Sequence, residues 1–496
     1  MERKLKSYKP EKVMFYFENI CNIPHVSHHT EAISGYCENF AKEHGLRYYR
    51  DVAGNVVIYK KASAGYENHD TVILQGHIDM VGAKTNASGH DFLKDIINID
   101  EDALESGYIT AVDTTLGADN GIAVAYMLAI LDDDTIAHPP LEAVFTVDEE
   151  VGLLGASALD TSVLHGRYMI NMDSEEEGVF ITGCAGGLRS DLMMDTVMDK
   201  TENAVFRIIT KGLKGGHSGS DIGTGRPSAN VITGRVLERI RQTADIRIVS
   251  LKGGAVDNAI CNYAEAVISC TADYDMISEL CAIMTRELRE EYAGIDDDIL
   301  IEAETADNHA EAASEGDTDR IILCLRQLPY GVISRNACNI NMVETSLNPG
   351  VMLYENGVFR LGYSIRSSHA SAKRELADRI RNMAEYVGGR CEESGDYPSW
   401  PHRHNSLLCR MAGQVYNEMY HKGPAFEIYE EQTGEEASIE MIHAGLECGI
   451  FAGKMPELDI ISYGPDMYDV HTYDERLSIR SAERVYDFTL KLLEKL

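Results

Sequence analysis

The chain has 496 residues, too many for one compact core, and 44% hydrophobic with 25% charged residues is an ordinary soluble composition. Its 80 acidic and 45 basic side chains give a net charge of −35, a surface that repels phosphate backbones and anionic lipid heads. These values argue against nucleic-acid and membrane partners.

The first twenty residues, "MERKLKSYKPEKVMFYFENI", lack an apolar core of signal-peptide length, and no run of about 18 apolar residues follows. The 11 cysteines are scattered, and the closest pair, Cys261 and Cys270, stands nine apart. No C-x-x-C motif exists, so reduced thiols in a cytoplasmic protein are expected.

Residues 11–60 read as helix, loop, helix and two strands. "TVILQGHIDM" (Thr71 to Met80) is a buried strand broken by Gly76, with His77 and Asp79 at its C-terminal end. Residues two apart in an extended chain share a face, so Asp79 is placed to orient His77 or to join it around a metal. "NGIAVAYMLAILDDD" is an apolar helix, and "LEAVFTVDEEVG" and "RYMINMDSEE" are further strands. Strands alternating with helices imply an α/β layer that works at strand C-terminal ends.

From about Gly187 the texture changes. "AVFRIITKGLKGGHSG" is a strand with a glycine-rich turn, "SANVITGRVLERIRQTAD" a helix, and "NAICNYAEAVISC" a half-exposed strand. More strands and helices follow, as expected of an α+β domain inserted into the first. "CEESGDYPSWPHRHN" is turn-rich and is taken as the return. The expected division is a catalytic domain over 1–186 and 399–496 and an inserted lid over 187–398. No tandem repeat or low-complexity tract is found.

Acidic and histidine residues recur just past the apolar strands or at helix starts. They are His77 and Asp79 in "GHID", Asp119 in "LGADNG", Glu149 and Glu150 in "VDEEVG", Asp173 in "INMDSEE", and His471 in "YGPDMYDVHTYDE". Any one alone is more often a solvated loop residue; their recurrence along one layer points to a metal site. Two histidines and three carboxylates form a mixed nitrogen and oxygen set suited to zinc, with cobalt or manganese as substitutes. A carboxylate bridging two ions would leave each with one histidine and one further carboxylate. Neighbours in an extended segment point apart, so one of Glu149 and Glu150 can bind metal while the other faces water.

"GHIDMV", "LGADNGIAVA", "TVDEEVGLLGA", "NMDSEEEG", "GGHSGSDI" and "HAGLECGIF" resemble the aminoacyl-histidine dipeptidases. These belong to the dizinc carboxypeptidase-like exopeptidases and deacylases. The resemblance runs from "IPHVS" to "GPDMYDVHTYDERLSI", and "VETSLN" and "HAGLECG" are the motifs more particular to the dipeptidases. It implies an α/β catalytic domain with a mixed central sheet and an inserted α+β lid. It also implies a cytoplasmic enzyme that cleaves unblocked dipeptides, Xaa-His among them, with two divalent ions, most often Zn2+, and a homodimer formed through the lid. By motif, Asp119 would bridge the ions, His77 and Asp173 would complete one site, and Glu150 and His471 the other. Asp79 would hold His77 from behind, and Glu149 would be the general base. The peptide bond after the bridging aspartate is often cis in this family. Within the lid, His217 resembles the histidine that donates to the developing oxyanion. Arg366, at the end of the strand "YSIRSS", carries a fork suited to a substrate carboxylate, and gripping it would draw the lid over the site. Without the resemblance, an ordinary surface turn and a solvated strand-end arginine are the plainer readings. In "HAGLECG", His443 and Glu447 would share a helix face if helical. Glu447 is a candidate partner for the substrate amino group, with a structural role in a glycine-bounded turn as the alternative.

Two departures from the family pattern stand out. Tyr473 occupies a position usually held by proline, and "GTGRPSAN" replaces a commoner motif around Arg226 and Asn230. An N-acyl-amino-acid deacylase, a tripeptidase and a non-catalytic peptide-binding relative remain as alternatives. Glu149 speaks against the last, because binding alone needs no base.

Overall fold

A computed structural model describes residues 3–307, 311–336, 340, 342–403, 405–420 and 438–496. The chain forms two compact units. The first comprises Met1–Cys184, Trp400–Met441 and Leu446–Leu496, and the second Ala185–Ser399 with Ile442–Gly445.

The first unit is built on an eight-stranded sheet. In chain order its strands are β1 (Arg47–Arg50), β2 (Val56–Lys60), β3 (Val72–His77), β4 (Leu141–Thr146), β5 (Tyr168–Asn171), β6 (Val179–Cys184), β7 (Ser438–Ile442) and β8 (Asp459–Ser462). Their spatial order is β1-β2-β4-β3-β5-β8-β6-β7. The four strands β4-β3-β5-β8 run parallel, while β1, β2 and β6 pair antiparallel, so the sheet is mixed. Strands β3, β4 and β5 are buried along their whole length, which is why they read as near-continuous apolar runs. Helix Ala118–Leu131 is apolar all round and is buried from Asn120 to Leu131. Its C-terminal carbonyls are held by the ammonium of Lys60, which donates to Ile130, Leu131 and Asp133.

The second unit is built on a nine-stranded sheet whose neighbouring strands all pair antiparallel. Helices Ala229–Arg241, Tyr274–Glu291, Glu315–Gln327 and Ala370–Tyr386 accompany it. Helix Tyr274–Glu291 buries Ile277, Cys281, Met284 and Leu288, an apolar stripe at helical spacing. The α+β character agrees with the sequence pattern.

Three local features differ from it. Ile442–Gly445 belongs to the second unit, whereas the sequence reading leaves it in the first. It is tied there by the Ala185 N–H, which donates to the Ile442 carbonyl at 3.1 Å. Half of the turn-rich stretch is a strand: Arg390–Tyr397 pairs with Gly186–Asp195 at the sheet edge. It is polar on both faces because it is exposed, so it lacks the alternation that marks a half-buried strand. "NAICNYAEAVISC" splits into Ala259–Ile260 and Ala264–Cys270.

Candidate metal centre and its surroundings

Strands β3, β4 and β5 lie side by side and parallel, so their C-terminal ends open together. His77 ends β3, Glu149 and Glu150 follow β4, and Asp173 follows β5. Gly76 lets β3 come close to helix Ala118–Leu131: a Cβ there would stand 2.4 Å from Asn120 Oδ1. Asp119, at the non-helical start of that helix, is thereby brought against His77. The Asp119–Asn120 peptide bond is cis.

Asp119 occupies the middle of the group. Its Oδ1 is 3.2 Å from His77 Nε2, and its Oδ2 is 3.0 Å from His471 Nε2. Asp173 Oδ1 lies 3.4 Å from His77 Nε2, and Glu150 Oε1 lies 3.0 Å from His471 Nε2. His471 holds a left-handed backbone at φ 62°, a strained state of the kind found at functional sites. His77, Asp119 and Glu150 each offer a ligand atom within 4.8 Å of the others. Imidazole nitrogen and carboxylate oxygen converging this closely suit a divalent cation such as zinc, so the donor set fits a metal.

The electrostatics point the same way. Burial works against charge on His77, but Asp173, Asp119 and Asp79 outweigh it and hold its pKa well above the usual value. Asp119 and Glu150 raise His471 to about 11. Burial lifts Glu150 and Asp173 above the ordinary carboxylate range. It lifts Glu149 furthest, with Asp173, Glu447 and Glu150 adding to the effect. Converging carboxylates need positive charge among them, and they favour protons on the imidazoles. A cation would take their place and release them.

Asp79 is tied differently from the simple expectation. The nearest partner of His77 Nδ1 is the Asp79 backbone carbonyl at 3.0 Å, with carboxylate Oδ1 at 3.5 Å. The Asp79 carboxylate accepts the N–H groups of Glu149 and Glu150 and the Ser27 hydroxyl.

Glu475 is a buried residue not singled out from the sequence. It accepts the N–H groups of Leu116, Gly117, Ala118 and Asp119, at 2.8, 2.9, 2.8 and 3.3 Å. This carboxylate sets the loop that presents Asp119. The available signal was an acidic residue four places past His471, too common a pattern to mark it.

Glu447 differs from its expected place. Its side chain is fully buried, with Oε2 accepting from Gln75 Nε2 at 2.5 Å and Thr146 Oγ at 2.6 Å. Burial pushes it up to about 7. Helix Glu447–Lys454 begins at Glu447, so His443 does not share its helix face, and the two residues fall in different units.

In the second unit, His217 lies in the short strand Gly216–His217, and its backbone N–H donates to Asp221 Oδ2 at 2.8 Å. Asp221 also pairs with Arg226 at 3.2 Å, and Arg226 donates to the Gly215 carbonyl. Arg226 thus braces the turn that carries His217. Asn230 donates to the Pro349 carbonyl and receives the Cys261 thiol. Arg366 is 8% exposed, and its Nη2 stands 3.5 Å from His217 Nε2. Its Nη1 donates to the Tyr397 hydroxyl, while buried Nε has no partner among the described residues. No carboxylate pairs with Arg366 among them either. Burial, then the Arg366 charge, lowers the pKa of His217 and so favours its neutral imidazole. His443 donates to or accepts from Ser346 Oγ at 2.7 Å.

Comparison with known proteins fits this geometry. The chain is 35% identical to the cytosol non-specific dipeptidase of Escherichia coli K12, over 99% of both chains. The chain belongs to the cytosol non-specific, or aminoacylhistidine, dipeptidase family. The aminoacylhistidine dipeptidase of Vibrio alginolyticus superposes with a TM-score of 0.88, at 36% identity, over 99% of this chain and 98% of that one. Residues 208–296 match the model of the peptidase dimerisation domain. A tripeptidase from Staphylococcus aureus shares the fold, with a TM-score of 0.55 at 15% identity over 98% of each chain. The protein is thus a metallopeptidase, a hydrolase with a mixed α/β catalytic fold and an inserted dimerisation domain. Among the described residues no helix is long and apolar enough to cross a membrane.

Proposed function

We propose that this protein hydrolyses unblocked dipeptides, Xaa-His among them, with two divalent ions, Zn2+ foremost. The observation that carries the reading is the Asp119 carboxylate, which turns one oxygen to His77 and the other to His471. A carboxylate so placed would be able to hold two ions at once. His77 and Asp173 would complete one site, and Glu150 and His471 the other. When bound, such ions polarise a carbonyl and lower the pKa of a water from about 15.7 toward about 7.

The chain's own groups supply the remaining chemistry. Glu149 stands next to a ligand candidate in sequence, and burial raises its pKa, which favours uptake of a proton. It takes the proton of the attacking water and passes it to the leaving amine. Arg366 grips the substrate carboxylate through a fork that has no acidic partner of its own. His217, beside it, donates to the oxygen that gains charge. Supporting a homodimer is the dimerisation-domain match at 208–296. The cytoplasm suits the scattered reduced cysteines, buried in most cases.

The deciding experiment is a dipeptide panel on metal-stripped and metal-restored protein, with an N-acetyl amino acid and a tripeptide alongside. Dipeptide cleavage should vanish on stripping and return with Zn2+. Preferential cleavage of the acetylated or tripeptide substrate would move the protein to the deacylase or tripeptidase class.

A further inference from the structure

We propose that Glu447 is a positioning residue for the metal cluster, the closing member of a buried polar clasp across three ligand-bearing strands. The inference rests on the metal reading given above. Strands β4, β3 and β5 are adjacent, and each has an uncharged polar side chain near its C-terminal end: Thr146, Gln75 and Asn171. All three are 0% exposed. Buried polar groups in apolar strands are costly unless they bond to one another.

Here they bond in one direction. Asn171 Nδ2 donates to Gln75 Oε1 at 2.6 Å. Gln75 Nε2 donates to Thr146 Oγ at 3.1 Å and to Glu447 Oε2 at 2.5 Å. Thr146 Oγ donates to the same Glu447 oxygen at 2.6 Å. Every donor leads to Glu447, and its carboxylate form, which only accepts, terminates the chain. Backbone register matches this order, with Gln75 opposite Asn171 and His77 opposite Thr146.

Each clasp residue stands just ahead of a metal-ligand candidate. Gln75 is two residues before His77, Asn171 two before Asp173, and Thr146 four before Glu150. Gln75 and His77 share a face of β3, so a shift of one moves the other. Glu447 is fully buried and enters at the first turn of helix Glu447–Lys454, which anchors the clasp from outside the sheet. Its task is to hold three strand ends at the spacing that the ligands require.

The test uses the full chain, stripped of metal and titrated with Zn2+ against a chromophoric chelator. Glu447→Ala should weaken Zn2+ binding by about 10–100-fold, the usual loss when a group that orients ligands is removed. At saturating Zn2+ its KM for a dipeptide should match the parent's. Glu447→Gln keeps an oxygen acceptor and should lose less. Thr146→Val removes one donor and keeps the shape; it carries the test if the alanine variant does not fold, and should also weaken Zn2+ binding. A lower Tm with parental Zn2+ affinity in these variants would overturn the inference and leave Glu447 an ordinary core group. A higher KM for dipeptides with a free amino group, again at parental Zn2+ affinity, would overturn it in favour of a substrate contact. Failure of the parent chain itself to bind Zn2+ would sink the metal reading, and this inference with it.

Discussion

The Asp79 carboxylate accepts the backbone N–H of Glu149 at 3.0 Å, across 70 residues of sequence. Its second oxygen reaches the N–H of Glu150 at 3.4 Å. Asp79 therefore ties the His77 loop to the turn that carries both glutamates. Its role is wider than orienting one imidazole.

Asp79→Ala should disturb both elements together. Activity and Zn2+ affinity should each fall, by about 10–100-fold. Asp79→Asn keeps an acceptor for one N–H and should fall less. Retention of parental Zn2+ affinity and kcat by the alanine variant would show that the tie is dispensable.

Asp119→Ala removes the carboxylate shared by His77 and His471. Activity should be lost, and metal analysis should find binding weakened at both sites. A variant that still holds two metal equivalents and cleaves dipeptides would refute the bridging role.

Glu149→Gln keeps volume and polarity but cannot take a proton. Its kcat should drop by at least about 10²-fold, the lower end for general acid–base catalysis, with metal content unchanged. Loss of metal would instead make Glu149 a ligand and reverse its assignment with Glu150.

Much of this arrangement was legible because strands β3, β4 and β5 are buried on both faces. A histidine or carboxylate that ends such an apolar run stands out. What was not legible depends on contacts distant in sequence. Glu475 reaches four N–H groups about Asp119, up to 359 residues away. Asp79 meets Glu149 just past Asp148, which holds a left-handed backbone at φ 52°. Neither contact leaves a periodic trace. His443 and Glu447 have helical spacing, yet His443 directly follows the strand that ends at Ile442, and Ala444, Gly445 and Leu446 separate it from the helix that starts at Glu447. A Cβ on Gly445 would stand 2.8 Å from the Tyr397 ring, so close packing, not a helix, sets that position. The edge strand Arg390–Tyr397 leaves no pattern in the sequence because exposure removes the apolar face that a pattern needs.

His443 offers a pH readout within the second unit. Burial and then the Arg366 charge lower its pKa to about 3. The folded state thus favours the neutral ring. Its stabilising contribution is complete above the unfolded value of about 6.5 and is lost progressively as pH falls toward the folded value. His443→Gln retains a hydrogen-bonding partner for Ser346 and does not titrate. The fall in Tm between about pH 6.5 and about pH 5 should be smaller in the variant than in the parent. Equal falls in both would show that His443 does not contribute to acid sensitivity.

If Arg366 is the carboxylate clamp proposed above, the enzyme should demand a free C-terminus. A metal centre that hydrolyses amides acts on any peptide bond unless another group measures the substrate. Binding energy from a remote group can position the scissile bond. Arg366 is buried and donates to the neutral Tyr397 hydroxyl, and its Nε lacks a partner among the described residues. A buried guanidinium without a carboxylate beside it is free to pair bidentately with one. The neutral His217 at 3.5 Å leaves that positive charge uncancelled. Dipeptides with a free C-terminus should therefore be cleaved, and their C-terminal amides should not. Arg366→Ala should slow the free acids and erase most of that preference, read as kcat/KM for each matched pair. Lys at this position should restore little, because a point charge cannot reproduce a planar fork. Equal cleavage of free and amidated dipeptides by the parent protein would remove the clamp from the mechanism and return Arg366 to a structural role beside Tyr397.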